Sequence, residues 1–340
     1  MNFRRFGPLA VAIAFAVGLL APAQARDGSD NFESAFDSAF GTSTRAPRDF
    51  ASVYNSPLAK RIAQLADGSS GRIGVAAIDL ATGQEVAVLG DQRFPMASTS
   101  KVAIAATFLD GVDKGKWKLT SQFPLMMPVP STPLSSAVAP VKPGQLMPAS
   151  KLIDLMLTRS NNYATDALLA AVGGPAVVSA WAHRAGIQDF QLTRDIATLV
   201  RDDGRMDPAI HVDTRDSATP RAMVQLLTGL HQGKWLSGSS RQVILTAMSN
   251  CRTGTRRIPA NMPAGTSVAH KTGTLNNTSS DIGIITMPDG RALAVAIYVT
   301  GQGSRANREV RIASIARALV DGYQQQPVQQ ASRQWATARY

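Results

Sequence analysis

The stretch Ile73-Gly74-Val75-Ala76-Ala77-Ile78, then Ala81-Thr82-Gly83-Gln84, then Glu85-Val86-Ala87-Val88-Leu89, decides the fold. Two β-prone runs joined by a short turn containing glycine pair as an antiparallel hairpin. The same logic returns near the other end of the chain, where residues 281–287 and 292–299 flank Pro288-Asp289-Gly290-Arg291. Helical periodicity brackets both hairpins: Leu58, Ile62 and Leu65 before the first, and Val310, Ile312, Ile315 and Leu319 within 308–319 after the second.

Between the hairpins the chain reads as helical. Segments 151–157 and 165–172 are apolar-periodic, the latter closed by Gly173-Gly174, and 175–185 follows, closed by Gly186. Thr219-Pro220 is a cap with proline at the first helical position, opening 221–231. The expected class is therefore mixed α/β of the α+β type. An antiparallel sheet from the N- and C-terminal segments is flanked by helices, an all-helical lobe (about 99–235) is inserted, and a cleft lies between the two.

The N-terminus reads as an export signal over 1–25: Arg4 and Arg5, an apolar run over 9–20, then Ala23-Gln24-Ala25 as a cleavage site before Arg26. An uncleaved anchor is the alternative, although the run is short for a membrane span. Residues 26–55 are polar, small and without periodicity, as expected of a flexible leader, and 324–340 read as a loose tail after a catalytic domain over 56–323. The one cysteine, Cys251, cannot form an intramolecular disulfide and is expected to be a small packed residue. The net charge of +11 comes from scattered basic residues without a Lys/Arg block, which points to anionic wall polymers or substrates rather than nucleic acid. His183, His211, His231 and His270 show no metal-ligand spacing, and no GxSxG elbow occurs.

Three short motifs carry the chemistry. Ser98-Thr99-Ser100-Lys101 opens a segment, 99–109, whose Val102, Ile104, Ala105 and Phe108 bury a helix between the lobes. Residues i and i+3 share a helix face, so Lys101 can take the proton that makes the Ser98 hydroxyl a weak nucleophile. Alone, the tetrad reads as a capping serine beside a solvated lysine; the two later motifs reverse that reading. Ser160-Asn161-Asn162 sits on an interhelical turn, where a serine relays a proton and an asparagine amide holds a carbonyl; such residues also favour turns on their own account. Lys271-Thr272-Gly273-Thr274 ends an expected strand over 267–270 facing the cleft. There Lys271 supplies positive charge, Thr272 a hydroxyl, Gly273 room for close approach, and the N–H of Thr274 completes an oxyanion hole with that of Ser98.

In this order the motifs are the grammar of penicillin-recognising serine enzymes, and over residues 58–323 the chain resembles a class A (serine) β-lactamase. Arg93-Phe94-Pro95-Met96, Gly173-Gly174-Pro175 and Asp213-Thr214-Arg215-Asp216-Ser217-Ala218-Thr219-Pro220-Arg221-Ala222-Met223 support the resemblance. It implies that Ser98 is acylated, Lys101 is its proton partner, Ser160 relays a proton, Asn162 lines the site, and Lys271 and Thr272 bind a substrate carboxylate. Arg257 matches a position where some members place a carboxylate-binding arginine, with a solvated surface arginine as the alternative. In the family a glutamate in a loop reading roughly Arg-x-Glu-Pro-x-Leu-Asn holds the deacylating water. Counted back without gaps from Asp216, Arg201 takes the place of the loop-closing arginine, Asp203 that of the glutamate and Asp207 that of the asparagine.

The expected function is thus an exported serine β-lactamase, periplasmic or secreted. It uses no cofactor or metal, acts as a monomer on a small β-lactam or peptidoglycan-like substrate, and has no nucleic-acid partner and no stable membrane anchor. A cell-wall D,D-peptidase or another acyl-serine hydrolase with slow deacylation is the alternative, and a non-catalytic sensor of wall fragments is a second.

Overall fold

The computed structural model describes residues 42–44, 56–68 and 70–325. The expected signal segment, most of the leader and the end of the tail lie outside the described residues. In chain order the elements are β1 (Thr42–Thr44), α1 (Pro57–Leu65), β2 (Ile73–Asp79), β3 (Glu85–Val88), β4 (Phe94–Pro95) and, after a 3-10 turn over Ala97–Ser100, α2 (Lys101–Asp113). Next come β5 (Gln122–Pro128), β6 (Val141–Pro148), α3 (Ala149–Thr158), α4 (Asn162–Val172), α5 (Pro175–Arg184), β7 (Phe190–Leu192) and α6 (Ile196–Arg201). The chain continues through β8 (His211–Asp213), β9 (Asp216–Ala218), α7 (Pro220–Gln232), α8 (Gly238–Ser249), β10 (Ser267–Leu275), β11 (Thr278–Thr286), β12 (Ala292–Thr300) and α9 (Arg305–Gln325).

Both hairpins join one antiparallel sheet in the order β10-β11-β12-β2-β3. The β12–β2 pairing welds the two ends of the domain, with Ala296 opposite Ala76 and Ile297 opposite Val75. Strand β12 is buried along its whole length, and the two-residue side-chain period sorts it. Leu293, Val295, Ile297 and Val299 join Ile62, Ile312, Ile315 and Leu319 in a core beneath α1 and α9. Ala292, Ala294, Ala296 and Tyr298 face the second core, shared with Val102, Phe108, Met223 and Leu227. Small residues on that face leave room for α7 to lie against the sheet.

α2 is apolar around its whole circumference, as a helix inside a domain must be. It packs against α4, α5 and α8, so the lobe extends past 235 to include α8, which lacks the strong apolar periodicity of its neighbours. The lobe is also not all-helical: β5 and β6 form a hairpin on α4. Proline and glycine in these strands (Pro124, Pro143, Gly144) mask the pattern in sequence and are tolerated because each strand has only one paired edge. Two further expectations shift at their ends. Residues 42–44, read as leader, pair with β8, and α9 continues through residue 325 into the expected tail.

Tyr323 on α9 donates its hydroxyl to the carbonyls of Ala77 (3.1 Å) and Gln84 (3.0 Å), tying the last helix to the first hairpin. Tyr323→Phe is expected to lower unfolding free energy by about 1–2 kcal/mol, the scale of a lost buried hydrogen bond. Urea denaturation checks this; an unchanged midpoint would mean that the apolar ring alone seats α9.

Candidate active site

Ser98 sits in the 3-10 turn that delivers the chain from β4 into α2. The residue before it, Ala97, has φ +48°, a left-handed conformation that costs a side-chain-bearing residue roughly 1–2 kcal/mol. The hydroxyls of Thr99 and Ser100 turn back onto the carbonyls of Met96 (2.7 Å) and Ala97 (2.8 Å), which steadies the turn. Ser98 itself stays partly exposed, with its flanking residues buried.

Lys101, one turn on, is fully buried and its ammonium has three acceptors: Asn162 Oδ1 at 2.7 Å, the Ser160 carbonyl at 2.8 Å and Ser160 Oγ at 3.1 Å. Ser160 holds φ +56° between α3 and α4, a second strained residue at the site. Asn161 caps α4 through the N–H of Ala164, so its neighbours on the turn are left to face the cleft. From the opposite wall Lys271, also fully buried, donates to Ser160 Oγ at 3.0 Å and to the Thr272 carbonyl at 2.8 Å. One serine oxygen thus receives two lysines. Burial, and then the charge of Lys271, push the Lys101 amine well below its ordinary value, against an upward pull from Asp166. Burial brings Lys271 down to about 8.

Lys271-Thr272-Gly273-Thr274 does not end its strand; it lies inside β10, paired with β11. β10 runs against the Ser98 turn, and a Cβ on Gly273 would stand 2.7 Å from the Met96 carbonyl oxygen and 2.4 Å from Ser280 Oγ. Only glycine permits that approach. Thr272 Oγ1 meets Thr253 Oγ1 at 2.6 Å, and Thr274 is exposed.

Arg257 is neither a solvated arginine nor an open anion site. It is 1 % exposed and spans the carbonyls of Gly273 and Ser280 (2.8 Å each), Thr274 Oγ1 (2.7 Å) and Glu309 (3.3 Å). Its guanidinium reaches the cleft only through the Thr274 hydroxyl. Glu309, whose carboxyl pairs with Arg256, Arg257 and Arg305, went unseen in the sequence because it lies on α9, far from every motif.

The loop from β7 to β9 corrects the assignment of Asp203. Arg201 pairs with its neighbour Asp202 and does not reach Asp216; Asp216 is paired instead with Arg194. Anchored on that pair, Arg194-Asp195-Ile196-Ala197-Thr198-Leu199-Val200 lies over the pattern Arg-x-Glu-Pro-x-Leu-Asn, and Ile196 stands in the glutamate place. Counting without gaps failed because the loop is longer than the pattern allows. Asp203 is exposed, and both its oxygens accept the N–H of Asn276 (3.0 and 2.9 Å); Asp207 Oδ1 accepts from Asn277 Nδ2 at 2.7 Å. These two aspartates clasp the β10–β11 turn.

The missed residue in this region is Asp166, one turn beyond Asn162 on α4. It is 6 % exposed, and its carboxylate accepts the N–H groups of Ile196 (2.7 Å) and Ala197 (2.9 Å). Burial raises it to about 7, against the pull of those N–H donors. Asp166 therefore places the start of α6, with Ile196, beside the Lys101–Asn162 cluster.

Comparisons with known proteins identify the family. A model of the "Beta-lactamase enzyme family" matches residues 57–323. The chain is 34 % identical over 270 residues to beta-lactamase CTX-M-8 of Citrobacter amalonaticus, covering 78 % of this chain and 88 % of that protein. The crystal structure of a beta-lactamase from Chitinophaga pinensis superposes with a TM-score of 0.69 at 29 % identity, covering 79 % of this chain and all of that one. An ancestral class A beta-lactamase superposes with a TM-score of 0.69 at 34 % identity, over 78 % of this chain and 99 % of the other. With the serine motifs on facing walls of one cleft and the family matched across the whole catalytic unit, the chain belongs to the class A (serine) β-lactamase family.

Proposed function

We propose that this protein opens β-lactam rings by acylating Ser98. The observation that carries this reading is that Lys101, one helical turn after Ser98, and Lys271 meet on Ser160 Oγ. Burial and the charge of Lys271 hold the Lys101 amine well below its ordinary value, and in its neutral form Lys101 takes the Ser98 proton. The Ser98 oxygen attacks the lactam carbonyl, and the N–H groups of Ser98 and Thr274 hold the oxyanion. The ring nitrogen departs with a proton passed through Ser160 Oγ. The substrate carboxylate lies against Lys271 and Thr272, with Thr274 oriented by Arg257. The basic and apolar start of the chain, ending in Ala23-Gln24-Ala25, supports export to the compartment where wall polymers are exposed.

Ile196 favours a second reading for the water step. Asp203 holds Asn276, and Asp166 is committed to two backbone N–H groups, so the loop offers an apolar side chain where the family pattern has a carboxylate. Without a general base, worth roughly 10²–10⁴-fold, the β-lactam ester outlives one in a fast lactamase. A D,D-peptidase or a related acyl-serine hydrolase with slow deacylation is therefore the second reading.

A chromogenic cephalosporin is expected to give an initial burst that Ser98→Ala abolishes; equal signals from both proteins would reject acylation at Ser98. On the second reading, intact mass after mixing with benzylpenicillin shows an adduct that persists for minutes. Ile196→Glu should then shorten the adduct's lifetime by at least roughly tenfold, a small part of what a general base supplies. Rapid return of the unaltered protein to its free mass would discard the second reading and leave the lactamase. The pH profile has a definite sign. Lys271 is cationic below about 8 and neutral above it. The KM for an anionic β-lactam should therefore rise as pH passes from 7 to 9, and a flat KM would remove Lys271 from the carboxylate subsite.

A further inference from the structure

The loop between β7 and β9 covers a cavity that the acylation chemistry does not use. It holds about 790 Å³ of space up to its open mouth. Pro95, Leu134, Leu199, Met206 and Leu275 give it an apolar lining. Its roof, residues 202–208, lies beyond the stretch 194–200 that fits the family pattern, so the extra length of this loop builds the cavity. Hydrogen bonds hold the roof on two sides. At the tip of the β5–β6 hairpin, the N–H of Leu134 donates to Asp202 at 3.2 Å and Arg201 donates to the Ser136 carbonyl at 2.8 Å. Across the mouth, Asp203 accepts the N–H of Asn276 at 2.9 Å.

The charges on the cavity wall are unevenly spent. Asp202 pairs with Arg201, Asp216 with Arg194, and Asp213 with both Arg194 and Arg215. Of the arginines and aspartates lining the cavity, Arg205 alone has no partner among the described residues, and it is exposed in the roof. Thr278, fully buried in the wall, likewise has a hydroxyl without a hydrogen-bond partner. The cavity is therefore apolar along its walls, with a spare cation at its mouth.

The direction of β10 decides which half of a substrate meets this cavity. The carboxylate of the leaving half lies at Lys271 and Thr272, and the reacting carbonyl lies at the N–H of Thr274. The acyl half therefore runs on toward Leu275 and Asn276, the next residues along the chain, and both line the cavity. On the facing side Pro95, also in the cavity wall, stands at the end of β4 just before the Ser98 turn. An acyl group on Ser98 thus has the cavity mouth ahead of it.

We propose that this cavity is a subsite for the acyl half, and that it selects substrates whose acyl group is a flexible apolar chain ending in a carboxylate held by Arg205. The selection rests on acylation at Ser98 and adds which acyl groups are transferred there. The chain buries its methylenes against Leu134, Leu199, Met206 and Leu275, which removes apolar surface from water. Its terminal carboxylate meets a planar guanidinium that can donate two parallel hydrogen bonds. An ammonium at the same place meets like charge and no acceptor that is not already engaged.

The test uses a series of penicillins on one 6-aminopenicillanic acid nucleus, with acetyl, hexanoyl, adipoyl or 6-aminohexanoyl side chains. It reads kcat/KM from loss of lactam absorbance, or the rate of adduct formation by intact mass where the ester persists. Hexanoyl is expected to exceed acetyl by at least roughly tenfold, a part of what burial of the added methylenes supplies. Adipoyl is expected to exceed 6-aminohexanoyl by at least roughly fivefold, between the worth of an exposed ion pair and that of an enclosed charged hydrogen bond. Arg205→Glu, a change at an exposed position, should reverse that order. Hexanoyl no better than acetyl, equal values for adipoyl and 6-aminohexanoyl, or an order that Arg205→Glu leaves untouched overturns the proposal while acylation stands. Absence of reaction with every member of the series rejects acylation at Ser98 and the subsite with it.

Discussion

Two buried ammonium groups share one serine oxygen, and the surrounding structure exists to make that tolerable. Taking a lysine out of water costs several kcal/mol unless acceptors replace the lost hydration. Lys101 receives three acceptors from the turn at 160–162, and Lys271 receives two. The residual penalty appears as depressed basicity of both amines. The same constraint explains the left-handed backbone at Ala97 and Ser160. Each strained residue aims a functional group at the cleft from a rigid neighbour, α2 on one side and the α3–α4 junction on the other.

The sheet supplies the second wall. β10 is an edge strand whose buried face carries Lys271 and whose backbone approaches the Ser98 turn at Gly273. Beneath it, Arg257 neutralises the carbonyls of Gly273 and Ser280, with Glu309 on α9 as its counter-ion. The last helix therefore helps hold the floor of a site whose Ser98 turn lies in the first third of the chain. Such ionic layers stabilise little in net terms; they set geometry.

The loop between β7 and β9 has a different logic. Asp166 from below and the Arg194–Asp216 pair at its base hold α6 in place, while Asp203 and Asp207 grip the β10–β11 turn. Its carboxylates are spent on structure, and the side chain presented where the family pattern has a base is isoleucine. The family scaffold and its three short motifs are thus retained beside a loop position of different chemistry.

The sequence by itself determined the class of fold and the acylating motifs. Two-residue alternation marks strands such as β2 and β12 wherever one face is buried, and short motifs report chemistry because few residue types can do it. Arg201, Asp203, Arg257 and His270 show where this ran out. Which arginine closes a loop depends on loop length and on where the chain doubles back, and a gapless count sees neither. Whether Arg257 meets solvent depends on Glu309, some fifty residues away in sequence and 3.3 Å away in space. His270 meets Asp281 across two strands whose registry only sheet pairing establishes. Local periodicity is written residue by residue, whereas ion pairs and proton partners are made by long-range closure, and that belongs to the tertiary structure alone.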